Sequence, residues 1–120
     1  MTKRPVNNYD RYHAHVYFDE VSVERASSIC RQAGEQFGVL VGRVHRKLVG
    51  PHPCWSCQLA FDKVQFDRLI PWLDENRGDL TVFVHALTGN DFEDHTEYAT
   101  WLGEPVPLKL SVFSTSAREI

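Results

Sequence analysis

No stretch of the chain stays apolar for the ~20 residues that a bilayer span requires, so no membrane-spanning segment is expected. An excess of basic charge is missing too. Thirteen Lys and Arg stand against 16 Asp and Glu, for a net charge of −3. The longest basic run, Arg43 to Lys47, is broken by Val44 and His45. Binding to phosphates needs a broader basic face than this, so no nucleic-acid partner is expected. Cysteine is scarce: Cys30, Cys54 and Cys57 are all there are. An odd count of this kind does not make a disulfide framework and fits a reducing compartment. The opening Met1-Thr2-Lys3-Arg4-Pro5 is charged, but no apolar core follows it, so it does not read as a signal peptide. Together these absences lead to the expectation of a cytoplasmic protein. There is also no internal repeat, low-complexity segment or linker that would divide the chain.

What remains is a sequence of 120 residues, 42% hydrophobic and 24% charged, the size and composition of one soluble domain. A chain of this length buries roughly two-thirds of its unfolded surface without needing disulfides. Residues 1–11 are polar and are expected to form an irregular arm. From His13 to Asp19 the residues alternate, with Ala14, Val16 and Phe18 on one side and His13, His15 and Tyr17 on the other. That is a strand with one core face. Ser22 stands where a helix cap is wanted, and Ala26, Ile29, Cys30, Ala33 and Phe37 then recur at helical spacing until Gly38 ends the pattern. A second strand is read over 39–46 and a third over 55–61. A second helix carries Phe66, Leu69, Ile70 and Leu73 and stops at Gly78. Pro71 lies inside it and predicts a kink or a late start. A fourth strand is read over 80–86, a short helix over 94–103, and a last strand over 108–113.

Strand, helix, strand, strand, helix, strand is the βαββαβ order of a ferredoxin-like α+β sandwich, with two helices on one face of an antiparallel sheet. The expected strand order is 4-1-3-2, and the closing helix and strand are additions to it. An open second face on so small a domain is readily covered by another subunit, so a homodimer is expected.

The histidines draw attention within this topology. If strands 1 and 3 run one way and strands 2 and 4 the other, one sheet edge gathers His13, His15, His45, His52 and His85, five of the six histidines. Strand phase puts His13, His15 and Tyr17 on the open face, together with Thr81, Phe83 and His85. His15 and His85 become candidate cross-strand neighbours, about 5 Å apart. Two neutral imidazoles at that spacing can share a divalent ion, and His52, on a turn stiffened by Pro51 and Pro53, can supply a third ligand. Any one of these histidines alone is more often a surface or hydrogen-bonded residue, and only their convergence suggests a metal.

The blocks Tyr12–Asp19 (YHAHVYFD), Gly50–Pro53 (GPHP) with Ser56–Gln58 (SCQ), Val84–Asp91 (VHALTGND) with Asp94–Thr96 (DHT), and Trp101–Pro105 (WLGEP) resemble the DOPA 4,5-dioxygenase family of small bacterial and fungal proteins. The likeness runs from about residue 9 to residue 113. It implies extradiol opening of a catechol ring by O2, with a small DOPA-like aromatic substrate, at a mononuclear non-haem Fe(II). Zn or another divalent ion is the alternative occupant. On this resemblance His15, His52 and His85 are the metal ligands, and His13 or His95 is the acid/base. Asp91, Asp94 or Glu97 is a carboxylate that can replace one ligand, since such sites commonly pair two His with one carboxylate. Arg43, His45 and Tyr17 are the substrate contacts.

Two other readings compete. His52, Cys54 and Cys57 form His-x-Cys-x-x-Cys, three-quarters of a structural zinc site. Alternatively, the domain is a non-catalytic binder of small molecules, dimeric, with a pocket lined by Tyr17, Trp72, Phe83, Tyr98 and Trp101.

Overall fold

The computed structural model describes residues 3–113. Strand β1 (Arg11–Phe18) is followed by helix α1 (Val23–Phe37), the hairpin strands β2 (Leu40–His45) and β3 (Trp55–Asp62), helix α2 (Lys63–Asn76) and strand β4 (Val82–Ala86). A single helical turn α3 (Asp91–Asp94), a short strand β5 (Thr100–Leu102) and a 3-10 turn (Leu110–Phe113) complete the described chain.

Local chemistry accounts for these boundaries. Val23, Ala26, Ile29, Cys30 and Ala33 form the buried stripe of α1. Gly38 closes that helix in the left-handed region at φ 70°, donating its N–H to the Gly34 carbonyl, a conformation most side chains disfavour. α2 opens on a capping box. The Asp62 carboxylate accepts from the Gln65 N–H at 2.8 Å, and the Gln65 side chain accepts from the Asp62 N–H at 2.9 Å. This cap starts α2 well ahead of Pro71, and the helix continues beyond it to Asn76. The late start expected at Pro71 is thus overridden by a strong N-terminal signal.

The sheet order is β2-β3-β1-β4-β5, and each neighbouring pair is antiparallel. The four-strand part is the expected ferredoxin-like 4-1-3-2 arrangement. The additions fall differently from the sequence reading. The helix expected over 94–103 is the shorter turn Asp91–Asp94, capped by Asn90, and the strand follows at Thr100–Leu102, where Trp101 pairs with Phe83. Residues 108–113 hold the 3-10 turn and no strand. The open edge of β4 needs backbone partners, and the segment nearest in sequence that can reach it takes that place.

The expected strand directions also need correction. β1 and β3 are antiparallel, with Arg11 opposite Asp62 and Phe18 opposite Trp55. The start of β1 therefore shares an edge with the ends of β3 and β4, while His45, opposite Ser56, lies toward the other edge. A helix crossover returns the chain in its original direction, so β2 runs with β1.

Both faces of the sheet are packed. On the helix side lie Ala14, Val16, Phe18, Leu59, Val82 and Val84 with the buried stripes of α1 and α2, which include Phe66, Leu69 and Leu73. On the opposite side Tyr17, Phe83 and Trp101 form a second cluster, covered by Cys54, Ala99, Val106 and Leu108. The chain itself thus covers much of the face on which a second subunit was expected. No helix among the described residues is long and apolar enough to cross a membrane.

Leu69 is fully buried in the helix-side core. Leu69→Ala removes contacts that the neighbouring strands cannot refill. It is expected to lower the urea-unfolding free energy by about 2–5 kcal/mol with an unchanged denaturant slope.

Candidate metal centre

The pleat of β1 sends His13, His15 and Tyr17 to the face away from the helices, and register does the rest. His13 lies directly opposite His85, and His15 opposite Phe83. His15 and His85 are therefore diagonal neighbours across the strand pair. Their Nε2 atoms still meet at 3.1 Å, with the two rings nearly parallel and their centroids 5.2 Å apart. Among the described residues, His13, His15 and His85 are the group whose candidate ligand atoms all lie within 4.8 Å of one another. His15 and His85 are buried and His13 is half-buried. Phe83, fully buried, packs beneath His15, His85 and His95.

His52 comes to the same place by a route that strand order alone does not show. The β2–β3 loop folds back across the open face, and the Pro51 carbonyl accepts from the Lys109 N–H at 2.8 Å. This leaves the His52 ring 4.1 Å from that of His15, centroid to centroid. Its Nδ1 lies 2.7 Å from the Tyr17 hydroxyl. His95 follows α3, and its ring stands 4.4 Å from that of His85. Phe113, from the 3-10 turn, packs on His95 at 5.0 Å.

Two backbone carbonyls define proton positions. His85 Nδ1 is 2.9 Å from the Ala86 carbonyl and His95 Nδ1 is 2.7 Å from that of Asp91. A carbonyl can only accept, so both Nδ1 atoms carry hydrogen. The neutral rings then keep their lone pair on Nε2. For His85 this is the nitrogen facing His15. The close pair is held by the proton of His15 Nε2 or by a shared cation.

The remaining candidates are placed as follows. The Tyr17 hydroxyl is engaged with His52. Arg43 is exposed in the bulged part of β2, and β3 separates it from β1. His45 is half-buried on the same strand, close enough for its charge to act on His52. Of the carboxylates, Asp94 is buried but accepts from both the Thr88 N–H and the Thr88 hydroxyl. Asp91 and Glu97 are exposed. The zinc reading of His52, Cys54 and Cys57 fails on geometry. Cys57 belongs to the helix-side core, while Cys54 packs against the Tyr17 cluster on the other face. Cys57 stands in β3 facing the helices, whereas Cys54 lies in the loop just before that strand. The aromatic pocket is divided in the same way, because Trp72 packs against the helix-side core, with Phe37.

The electrostatics favour neutral rings. Burial, followed by the charges of His52 and His85, holds His15 well below the ordinary imidazole value. Burial lowers His85 to about 3, and burial with neighbouring His95 lowers His52 to about 4. Burial, with His95 next, also lowers His13. Burial raises the Tyr17 phenol, which keeps its proton.

These directions set a pH dependence. In metal-stripped protein the unfolded chain takes up protons below about pH 6.5, where the folded rings resist them. Stability is complete above that pH. It is expected to fall as the pH drops toward 4 and 3, where His52 and His85 protonate. His85 alone contributes a slope of about 1.4 kcal/mol per pH unit. Urea midpoints at about pH 7.5, 5.5 and 4.5 measure this, and a flat profile contradicts it.

The sequence profile of the Dopa 4,5-dioxygenase family matches residues 12–112. The chain is 30% identical over 118 residues to a DOPA 4,5-dioxygenase of Amanita muscaria, covering 91% of this chain and 52% of that relative. It is 32% identical over 113 residues to an uncharacterised 21.2 kDa protein of Botryotinia fuckeliana, covering 84% of this chain and 62% of the other. The chain thus spans about half to three-fifths of the length of these curated relatives. A Nostoc punctiforme protein whose crystal structure is described as a putative dioxygenase superposes with a TM-score of 0.86 at 39% identity, over 90% of this chain and 94% of that one.

Proposed function

We infer that this chain, which belongs to the DOPA 4,5-dioxygenase family, is an extradiol dioxygenase that opens a catechol ring with O2 at one non-haem metal ion. The observation that carries this reading is the His13, His15 and His85 group, with two Nε2 atoms 3.1 Å apart.

The donor set fits such an ion. Nitrogens bound to one centre at about 2.0–2.1 Å, with bonds at about 90–109°, stand about 2.8–3.4 Å apart, a spacing that the His15–His85 pair has within a group that spans up to 4.8 Å. All three donors are imidazoles that can be neutral at pH 7, the form that ligates. We therefore propose His13, His15 and His85 as the ligands, in preference to a set that includes His52, which lies outside this group of close donor atoms. Fe(II) is the proposed ion, since the chemistry of O2 requires a redox-active metal and Zn has no redox change. When bound, it supplies Lewis acidity toward the catechol oxygens and brings the two reactants together.

The chain's own side chains do the remaining work. His95 keeps its Nε2 lone pair because its Nδ1–H donates to the Asp91 carbonyl, so it is suited to accept a catechol proton. Phe83 and Trp101, packed together beneath the histidines, give the site an apolar base that holds the imidazole rings in place. The overall change balances when both oxygen atoms enter the product across the broken ring bond next to the diol. The physiological partner in this reading is a small DOPA-like aromatic.

The test is metal analysis of protein purified without air, followed by DOPA or catechol turnover read as the yellow ring-opened product. About one ion per chain is expected. His15→Ala and His85→Ala should weaken metal binding by more than the roughly 10–100-fold lost with an outer partner of a ligand. His95→Gln should keep the metal and lower kcat roughly 10²–10⁴-fold. Metal-free protein whose variants behave like the parent overturns the reading in favour of a plain binding module.

A cytoplasmic location belongs to the same proposal and rests on the three free cysteines. So does a homodimer. The contact proposed is the outer edge of β2, where Leu40, Val41 and Val44 are exposed beside unpaired backbone groups. Light scattering at micromolar concentration should give twice the 13.8 kDa chain mass, and Val44→Lys should return it to the monomer value.

A further inference from the structure

Three parts of the molecule stand outside the proposed reaction: a cavity of about 300 Å³ between the N-terminal arm, Phe66 and Tyr98, the buried thiols of Cys30 and Cys57, and the Tyr17–His52 pair. The cavity's two cations are already used, Lys3 on the Glu97 carbonyl and Arg4 on Asp74. The thiols are buried in the helix-side core. The pair carries further.

Tyr17 is 3% exposed and His52 6%. Their 2.7 Å hydrogen bond can be written with either partner donating. If His52 Nδ1–H donated, the phenolic hydrogen would need another acceptor, and the Tyr17 hydroxyl has no other partner among the described residues. A buried hydroxyl left without an acceptor costs about 1–3 kcal/mol. If the phenol donates, its hydrogen and the Nδ1 lone pair are both satisfied, and the imidazole lone pair is also the stronger base of the two. The surroundings keep this arrangement. The Tyr17 ring packs against Trp101 and Phe83, which orients its hydroxyl. The His52 backbone is held between Pro51 and Pro53, with its N–H donated to the Val49 carbonyl.

We infer that Tyr17 is a positioning residue that acts through His52: its hydroxyl donates to Nδ1 and fixes the ring as the tautomer with hydrogen on Nε2. A nitrogen that carries hydrogen has no lone pair for a metal. His52 is then a hydrogen-bond donor beside the His13, His15 and His85 group, directed at a substrate oxygen. It is opposite in kind to His85 and His95, whose Nδ1 protons are engaged by backbone carbonyls and whose Nε2 atoms accept. One small site thus holds accepting and donating imidazoles, and each is assigned by a different neutral partner. Its catalytic consequence rests on the ring-cleavage reading, whereas the tautomer does not.

The experiment uses the full chain labelled with ¹⁵N-histidine and loaded with diamagnetic zinc. Long-range ¹H–¹⁵N correlation spectra report each ring's tautomer, and loss of one signal in His52→Gln assigns His52. The wild-type ring is expected with hydrogen on Nε2 and a free, hydrogen-bonded Nδ1. In Tyr17→Phe, which keeps the ring and removes only the donor, His52 should change to a tautomer mixture while zinc stoichiometry stays the same. With iron and catechol, the same variant should lose roughly tenfold in kcat with KM within about twofold, the pattern of an interaction made mainly in the transition state. A wild-type His52 with hydrogen on Nδ1, an Nε2 signal displaced by bound zinc, or a Tyr17→Phe spectrum identical to wild type overturns the inference. If the spectra come out as expected and no preparation turns over catechol, the reaction assignment fails and the positioning role stands.

Discussion

Imidazoles can be buried side by side only while they are uncharged, and much of the structure around the open face serves that condition. His15, His52 and His85 are all buried, and every one of them resists protonation because burial and neighbouring rings disfavour a positive charge. Their nearest hydrogen-bond partners are also neutral. His85 donates to a strand carbonyl and His52 meets a phenol. A carboxylate in either position would favour the imidazolium form. Asp94, the buried acid close by, is turned instead onto the Thr88 loop. The result is a cluster of lone pairs and N–H groups with little charge of its own, the form in which imidazoles are able to ligate a metal ion.

The fold supplies this cluster economically. β1 is central, paired on both sides, and its alternation sends Ala14, Val16 and Phe18 into the helix-side core while the intervening residues face the other way. The core therefore stabilises the same strand that presents the chemistry. The β2–β3 loop, α3 and the C-terminal segment then lie over the open face and bring His52, His95 and Phe113 to the group. Chain-own covering also shields the aromatic cluster of Tyr17, Phe83 and Trp101. Among the described residues, β2 is an edge strand of the sheet whose Leu40, Val41 and Val44 are exposed.

Parts of this arrangement were legible in the residues. The alternation of β1 gave its two faces correctly, the α1 stripe and Gly38 gave that helix, and the βαββαβ order gave the strand sequence of the sheet. Register was less legible. Strand phase alone sets His15 opposite His85, whereas the pairing lies one pleat period away and puts His13 directly opposite His85. Counting back from a β1–β4 pairing anchored on the core residues Ala14 and Val84 would have found it. Strand direction is not legible either: His13, His15 and His85 meet through the antiparallel β1–β4 register, and His52 joins them from a loop that folds over the sheet face, which no local pattern announces. The closing strand was misplaced because residues 108–113 have the apolar content of a strand, yet the free edge of β4 is filled by Thr100–Leu102.

By itself the sequence determined which residue types are available and which face of each element they occupy, because side-chain alternation and helical spacing are local properties of the backbone. It also determined the family, through several short blocks in a fixed order. Only the tertiary structure decided which nitrogens approach within a few ångströms and which carry hydrogen. Those depend on register, on the path of the β2–β3 loop and on single partners such as the Ala86 carbonyl and the Tyr17 hydroxyl, all of which are contacts between residues far apart in the chain or set by the final ring orientation.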